Sequence, residues 1–321
     1  MIKVERVTKY FGKTKAVDDI SFAVAEAENV VLLGTSGCGK TTTLRMINRL
    51  TQASSGKIEV DGKNIKDLSP ETLRRSIGYV LQHNGLFPHY TIAENIAIVP
   101  GLLKWPKDKI EKRTAELLEQ LHLPQDYLTL YPDQLSGGQQ QRVGLARALA
   151  SDPPVLLMDE PFGALDAVTR SSITKEFSHL DVLKKKTILL VTHDVLEAFD
   201  MGDKILLMDK GKIVQAGSPA DLLFRPANKF VSDFFASQQM QLELHTVLLK
   251  DIWANLLPEN KSNDGGNIID DDQSIWEALD ILSNQQRKNI GVRNLVNNNT
   301  RYADYDTLFK ALNALKQTAN G

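Results

Sequence analysis

Residues 34–41 read Gly34-Thr35-Ser36-Gly37-Cys38-Gly39-Lys40-Thr41. They follow the apolar run Val30-Val31-Leu32-Leu33 and open a stretch with helical spacing, Thr41 to Leu50. A buried strand that ends in a glycine-rich loop and passes into a helix is the context a phosphate-binding loop requires. Glycines let successive backbone N–H groups turn inward around phosphate oxygens, and the helix N-terminus adds positive potential. Gly34 through Thr42 are therefore candidate nucleotide contacts, with Lys40 expected to reach the β- and γ-phosphates and Thr41 to hold Mg²⁺. These residues set the expectation of an α/β fold of the phosphate-loop type.

Two further segments extend that reading. Val155-Leu156-Leu157-Met158-Asp159-Glu160 is an apolar strand ending in two carboxylates. Asp159 is expected to bind Mg²⁺ through water, and Glu160 to act as general base on an attacking water. Leu135-Ser136-Gly137-Gly138-Gln139 precedes a helical stretch from Gln140 to Ala150. Ser136 is a good N-cap, and the paired glycines would let an anion approach closely. One nucleotide needs one cradle, so a second helix N-terminus of this kind suggests two chains sharing two nucleotides.

Outward from these motifs, Ile2, Val4, Ile20, Phe22 and Val24 alternate with polar residues, a strand pattern with turns expected near Gly12 and Asp18-Asp19. Residues 56–68 read as a hairpin. Residues 107–150 carry helical apolar spacing (Ile110, Leu117, Leu118, Leu121) and few strand signals, so a helical subdomain at about 85–150 is expected inside the core. Strands return at Val155–Met158, Thr187–Thr192 and Lys204–Met208. Apolar strands alternating with helices imply a covered parallel sheet. The expected organisation is a domain over 1–236 and a more polar appendage over 240–321.

The 321 residues are 42% hydrophobic and 24% charged, enough for a sizeable core. A net charge of −2 gives no basic field for nucleic acid. The single cysteine, Cys38, rules out an intrachain disulfide. MIKVERVTKYFG has no apolar signal-peptide core, and no apolar run approaches the roughly 18–20 residues of a membrane span. Work at a membrane would need a separate embedded partner. His83, His89, His122, His179 and His245 form no metal-ligand spacing, so Mg²⁺ is the only metal expected.

With these motifs in place, residues 1 to about 236 resemble an ABC-transporter ATPase subunit, in which Leu135–Gln139 matches the signature motif. The resemblance implies roles for four further sites. Gln82 matches the glutamine that senses Mg²⁺ and the membrane partner. Ala164-Leu165-Asp166 matches the D-loop. His193 matches the switch histidine that contacts the γ-phosphate. Phe11 matches the aromatic that stacks on adenine, with Tyr10 the other candidate. The family's fold is a mixed-sheet core with an N-terminal antiparallel region and an inserted helical subdomain. Its mechanism is a two-copy sandwich with ATP held between the phosphate loop of one chain and Ser136–Gln139 of the other.

Longer stretches narrow the resemblance. Leu73–Gln82, Gly85–Ile96, Val99-Pro100, Met158–Asp166 and Arg225–Val231 are similar to ATPases of bacterial importers for glycine betaine, choline, carnitine or proline. That resemblance implies separate membrane permeases, an extracytoplasmic solute-binding protein, and a peripheral place at the cytoplasmic face of the cell membrane. Many such ATPases end in paired CBS modules, whereas about 80 Asn-rich residues stand here. Ser274–Leu279 and Thr307–Leu312 echo each other as amphipathic helix starts. A shortened CBS-like region and a small helical tail both fit. Two other functions fit the sequence less well. A translation or repair ATPase would carry two cassettes or a long coiled-coil insertion, and a non-hydrolysing regulatory module would not keep Glu160 and His193.

Overall fold

The computed structural model describes residues 1–82, 85–178, 180–258, 268–286 and 288–319. His83, Asn84 and His179, named above, lie outside the described residues. The chain divides into two compact units, Met1–Ala216 and Gly217–Gly321. The division falls before the boundary expected at 236.

In the first unit the N-terminal alternation forms β1 (Ile2–Phe11) and β2 (Thr14–Val24), followed by β3 (Asn29–Gly34) and α1 (Lys40–Ile47). β1 and β2 pair antiparallel from Ile2↔Val24 to Phe11↔Thr14, around a turn at Gly12. The turn expected at Asp18-Asp19 is instead a bulge inside β2. Register slips there, because Val7 pairs with Ile20 and Lys9 with Val17, leaving one extra residue on β2. Asp19 takes up the slack in the left-handed region at φ 53, and its N–H donates to Thr8 Oγ1 at 3.1 Å. A bulge admits this conformation, and a short polar side chain tolerates it.

β4 (Ser55–Val60) and β5 (Lys63–Asn64) form the expected hairpin, and the sheet runs β2-β1-β4-β5. α2 (Pro70–Arg75) leads to β6 (Ile77–Val80). The helical insert then follows as α3 (Ile92–Leu102), α4 (Lys107–Gln120) and α5 (Gly137–Leu149). The chain returns through β7 (Val155–Asp159), α6 (Ala167–Ser178), β8 (Thr187–Thr192), α7 (Val195–Met201), β9 (Lys204–Asp209) and β10 (Lys212–Gly217).

The second sheet runs β10-β9-β3-β8-β7-β6. Its pairs β3–β8, β3–β9, β6–β7 and β7–β8 are parallel. Every residue of β7 and β8 is buried, which explains their unbroken apolar sequence. Ile2, Val4, Val7, Ile20 and Ile58 from the first sheet join Leu44 and Ile47 of α1 and Val30, Leu157 and Leu189 of the second in one core. The helix that opens at the phosphate loop is thus seated in the core between the two sheets.

The second unit begins with α8 (Pro219–Phe224), α9 (Lys229–Phe235) and α10 (Gln239–Thr246). β11 (Ile268–Asp270), α11 (Ile275–Asn284), β12 (Ile290–Arg293), β13 (Thr300–Ala303) and α12 (Tyr305–Ala319) complete it. β11 pairs parallel with β12, and β12 antiparallel with β13. The two echoing segments are the starts of α11 and α12, and Ile275, Ala278, Leu308 and Leu312 meet in a core of their own. Phe224 packs against that core, which places α8 with the appendage. A purely helical tail does not describe this unit, since three strands carry its centre. The alternation in these strands is too short to stand out in sequence.

Candidate active site

The loop 34–39 turns on glycines that sterics demand. A Cβ at Gly34 would lie 2.2 Å from the Met208 carbonyl oxygen, and one at Gly39 would lie 2.6 Å from that of Ala16. Gly39 also has φ 108. Such positions are closed to other residues. The Cys38 N–H donates to Thr35 O at 3.3 Å. Lys40 is buried, and its Nζ donates to the carbonyls of Gly34 at 2.7 Å and Thr35 at 3.0 Å. The loop's own carbonyls thus hold the ammonium at the mouth of α1. Thr42 is half-buried in the first turn of α1. Cys38 is buried with Sγ 3.8 Å from Lys40 Nζ. Burial pushes its thiol up, away from the thiolate form that reacts.

Across from α1, β7 delivers its two carboxylates to different tasks. Asp159 Oδ1 accepts from Thr41 Oγ1 at 2.8 Å, and Oδ2 from the Tyr79 hydroxyl at 3.3 Å. A hydroxyl and a carboxylate facing each other are the hard oxygen donors that Mg²⁺ takes together with phosphate and water. Among the described residues no group of three or more His, Cys, Asp or Glu could hold a metal, so an ion here would draw its other ligands from phosphate and water.

Glu160 breaks away from the strand at φ 46, with its N–H on Val191 O at 2.9 Å. Its Oε2 then accepts from Gln82 Nε2 at 3.0 Å and lies 3.1 Å from His193 Nδ1. Three residues far apart in sequence meet on one oxygen. A proton on His193 Nδ1 makes that contact a hydrogen bond.

Ser136 caps α5, accepting from Gln139 N–H at 3.4 Å, while Gln139 Oε1 accepts from Ser136 N–H at 2.8 Å. The paired glycines, expected to let an anion approach, also lie close to neighbouring side chains. A Cβ on Gly138 would meet Ile173 Cδ1 at 2.5 Å, and one on Gly137 would meet Leu165 Cδ2 at 3.3 Å. They let α5 close against α6 and the segment before it. Ser136–Gln139 line a cavity of about 540 Å³ with Ala164, Leu165 and Asp166. None of the loop 34–41 lines that cavity. Asp166, expected at nucleotide, also caps α6 through Thr169 N–H at 3.1 Å. Phe11 and Tyr10 end β1 exposed at 53% and 45%, with Lys9 Nζ 4.8 Å from the first ring and Lys15 Nζ 5.5 Å from the second. Both remain open faces for stacking.

Comparisons with known proteins agree with this geometry. The family described as ABC transporter matches residues 17–163. The glycine betaine uptake system ATP-binding protein YehX of Escherichia coli (strain K12) is 46% identical over 282 residues, covering 88% of this chain and 90% of that one. The chain belongs to the ABC transporter ATP-binding family. The glycine betaine/carnitine/choline transport ATP-binding protein OpuCA of Bacillus subtilis (strain 168) is 52% identical over 241 residues, which is 75% of this chain and 63% of that relative. A solved dimeric structure of the ATP-binding cassette MJ0796 bound to ADP and Pi superposes with a TM-score of 0.60 at 34% identity. It covers 68% of this chain and 98% of that one.

Three features of this ABC cassette escaped the sequence reading. Tyr79 backs Asp159, and burial followed by the Asp159 charge pushes its hydroxyl well above the usual phenol range. Its signal was an aromatic three residues before Gln82, on the same strand exit. Glu197 is buried, accepts from Thr192 Oγ1 at 2.7 Å, and is pushed up to about 8 chiefly by burial. Arg170 pairs with Asp194 at 3.0 Å. Nothing in the sequence spacing brings α6 to α7. Among the described residues no helix is long and apolar enough to cross a membrane.

Proposed function

We propose that this chain hydrolyses ATP to power import of a quaternary-amine osmoprotectant through separate membrane permease subunits. It would work as two copies at the cytoplasmic face of the cell membrane, supplied from outside by a solute-binding protein and without nucleic acid. The observation that carries the reading is the Glu160 carboxylate, held between Gln82 and His193 one residue beyond the Asp159 that faces Thr41. Glu160 is placed to take the proton of an attacking water. Gln82 and His193 hold that carboxylate in one orientation. Lys40 and the loop N–H groups bind the phosphate chain. Thr41 and Asp159 would hold Mg²⁺, which neutralises charge on the β- and γ-oxygens.

The two-copy arrangement is supported by the separation within one chain of the phosphate loop from the cavity at Ser136. It is supported also by the dimeric state of the MJ0796 cassette. The solute class is supported by the names of the relatives, which transport glycine betaine, carnitine or choline. For the appendage, the three-stranded sheet supports a folded CBS-like region over a bare helical tail.

Glu160→Gln tests the central claim. The variant is expected to bind ATP normally and to hydrolyse it at least roughly a hundredfold more slowly, the scale of a lost general base. Near-normal turnover would refute Glu160 as base. For the solute, ATPase of the transporter reconstituted with its permeases should rise when binding protein loaded with glycine betaine is added, and should not rise with the empty protein.

A further inference from the structure

His193 stands between two residues that are themselves fastened. Thr192 Oγ1 accepts the Asp194 N–H at 2.9 Å and donates to Glu197 at 2.7 Å. Asp194 Oδ1 caps α7 through the Glu197 N–H at 3.2 Å. The other Asp194 oxygen, Oδ2, accepts from Arg170 Nη1 at 3.0 Å. Arg170 then uses its second terminal nitrogen: Nη2 donates to the carbonyl of Leu165 at 2.9 Å. Leu165 lies with Gly137 in the wall of the cavity at Ser136. One guanidinium therefore bridges the turn that presents His193 and the segment 164–166 that lines the signature cavity.

We propose that Arg170 is a positioning residue that couples the two nucleotide sites of the dimer, by tying the His193 turn to the Leu165 carbonyl at the signature cavity. The inference rests on the two-copy ATPase reading. In that arrangement His193 faces the nucleotide in its own chain's phosphate loop, while the cavity at Ser136 and Leu165 faces the partner's. A shift of either segment is passed to the other through a planar, charged fork that holds both at fixed spacing. Coupling of this kind is a free energy shared by two sites and is reciprocal between them. A lysine cannot replace the fork. Its single ammonium can keep the Asp194 pair or reach Leu165, but does not present two donors in one rigid plane.

The test measures ATPase against ATP concentration for the unaltered full chain, Arg170→Lys and Arg170→Met, with ATP binding and melting temperature recorded for each. The unaltered chain is expected to give a Hill coefficient above 1, bounded by 2 for two sites. Arg170→Lys is expected to keep its melting temperature and ATP affinity, to lose roughly two- to thirtyfold in kcat, and to fall to a Hill coefficient of 1. Arg170→Met should show the same Hill coefficient. A purely structural arginine would instead be rescued by lysine in every readout. Retained cooperativity in Arg170→Lys overturns the inference, as does an unaltered chain that hydrolyses ATP without cooperativity. Absence of hydrolysis by the unaltered chain refutes the functional reading and takes this inference with it.

Discussion

Glu197 gives the sharpest consequence of burial in this structure. Its side chain is almost fully enclosed, one oxygen takes the Thr192 hydroxyl, and the other, Oε1, has no partner among the described residues. Burial, with the charges of Asp194 and Glu160 adding, raises the carboxyl from 4.5 to about 8, against the opposing Thr192 hydrogen bond. The folded state therefore holds a proton that the unfolded chain releases. Stability from this group is fully present below about 4.5 and is lost as pH rises through about 8. The slope across that window is about 1.4 kcal/mol per pH unit, or about 3 kcal/mol lost by pH 7. Glu197→Gln cannot ionise. Its amide leaves donors unpaired beside Oε1, a cost of about 1–3 kcal/mol that does not vary with pH. The stability of the variant minus that of the unaltered chain should thus climb by about 1.4 kcal/mol per pH unit. Urea titrations at several pH values between about 5 and 8 read this difference directly. A difference that stays constant across the window would show that Glu197 ionises in the folded protein as it does in water, and would refute the burial argument.

Three other outcomes follow from the same coordinates. Mixing Lys40→Ala chains with Ser136→Arg chains should restore ATPase that neither homodimer has, since one composite site in the heterodimer stays intact; heterodimers without activity would count against shared sites. Gly34→Ala should destabilise the cassette by about 3 kcal/mol or more, because its Cβ would sit 2.2 Å from the Met208 carbonyl oxygen, whereas Gly101→Ala, in open space on α3, should be neutral or stabilising by up to about 1 kcal/mol; thermal melts separate them. Phe87→Asp should leave the isolated chain folded and able to bind nucleotide while preventing co-purification with its permease. Phe87 is 44% exposed, and Asn95 fixes its loop by accepting the Phe87 N–H and donating to the carbonyls of Phe87, Tyr90 and Thr91; a collapsed melting temperature would place Phe87 in the core instead.

Much of this protein is legible along the chain because its determinants are local. The loop Gly34–Thr41 needs glycines at set positions between a buried strand and a helix, and that requirement is written within eight residues. The runs that become β3, β7 and β8 are apolar throughout because parallel strands covered on both faces have no wet side. Ser136 and Gln139 cap their own helix, three residues apart. Other features were decided only by the tertiary structure, because they depend on which distant segments pack together. Glu160, Gln82 and His193 were each identifiable, yet their meeting on one oxygen depends on how β6, β7 and β8 align. Asp18-Asp19 looks like a turn until pairing with β1 makes it a bulge. Gly137 and Gly138 are readable beside Ser136, but the approach of Ile173 of α6 and of Leu165 to them is decided by packing. Glu197 has an ordinary carboxyl in water, and only enclosure behind Thr192 makes it hold a proton. Patterns of period two or 3.6 and short loop chemistry are carried by neighbouring residues. Burial, register and bridges between helices arise from long-range packing, so no single stretch of sequence contains them.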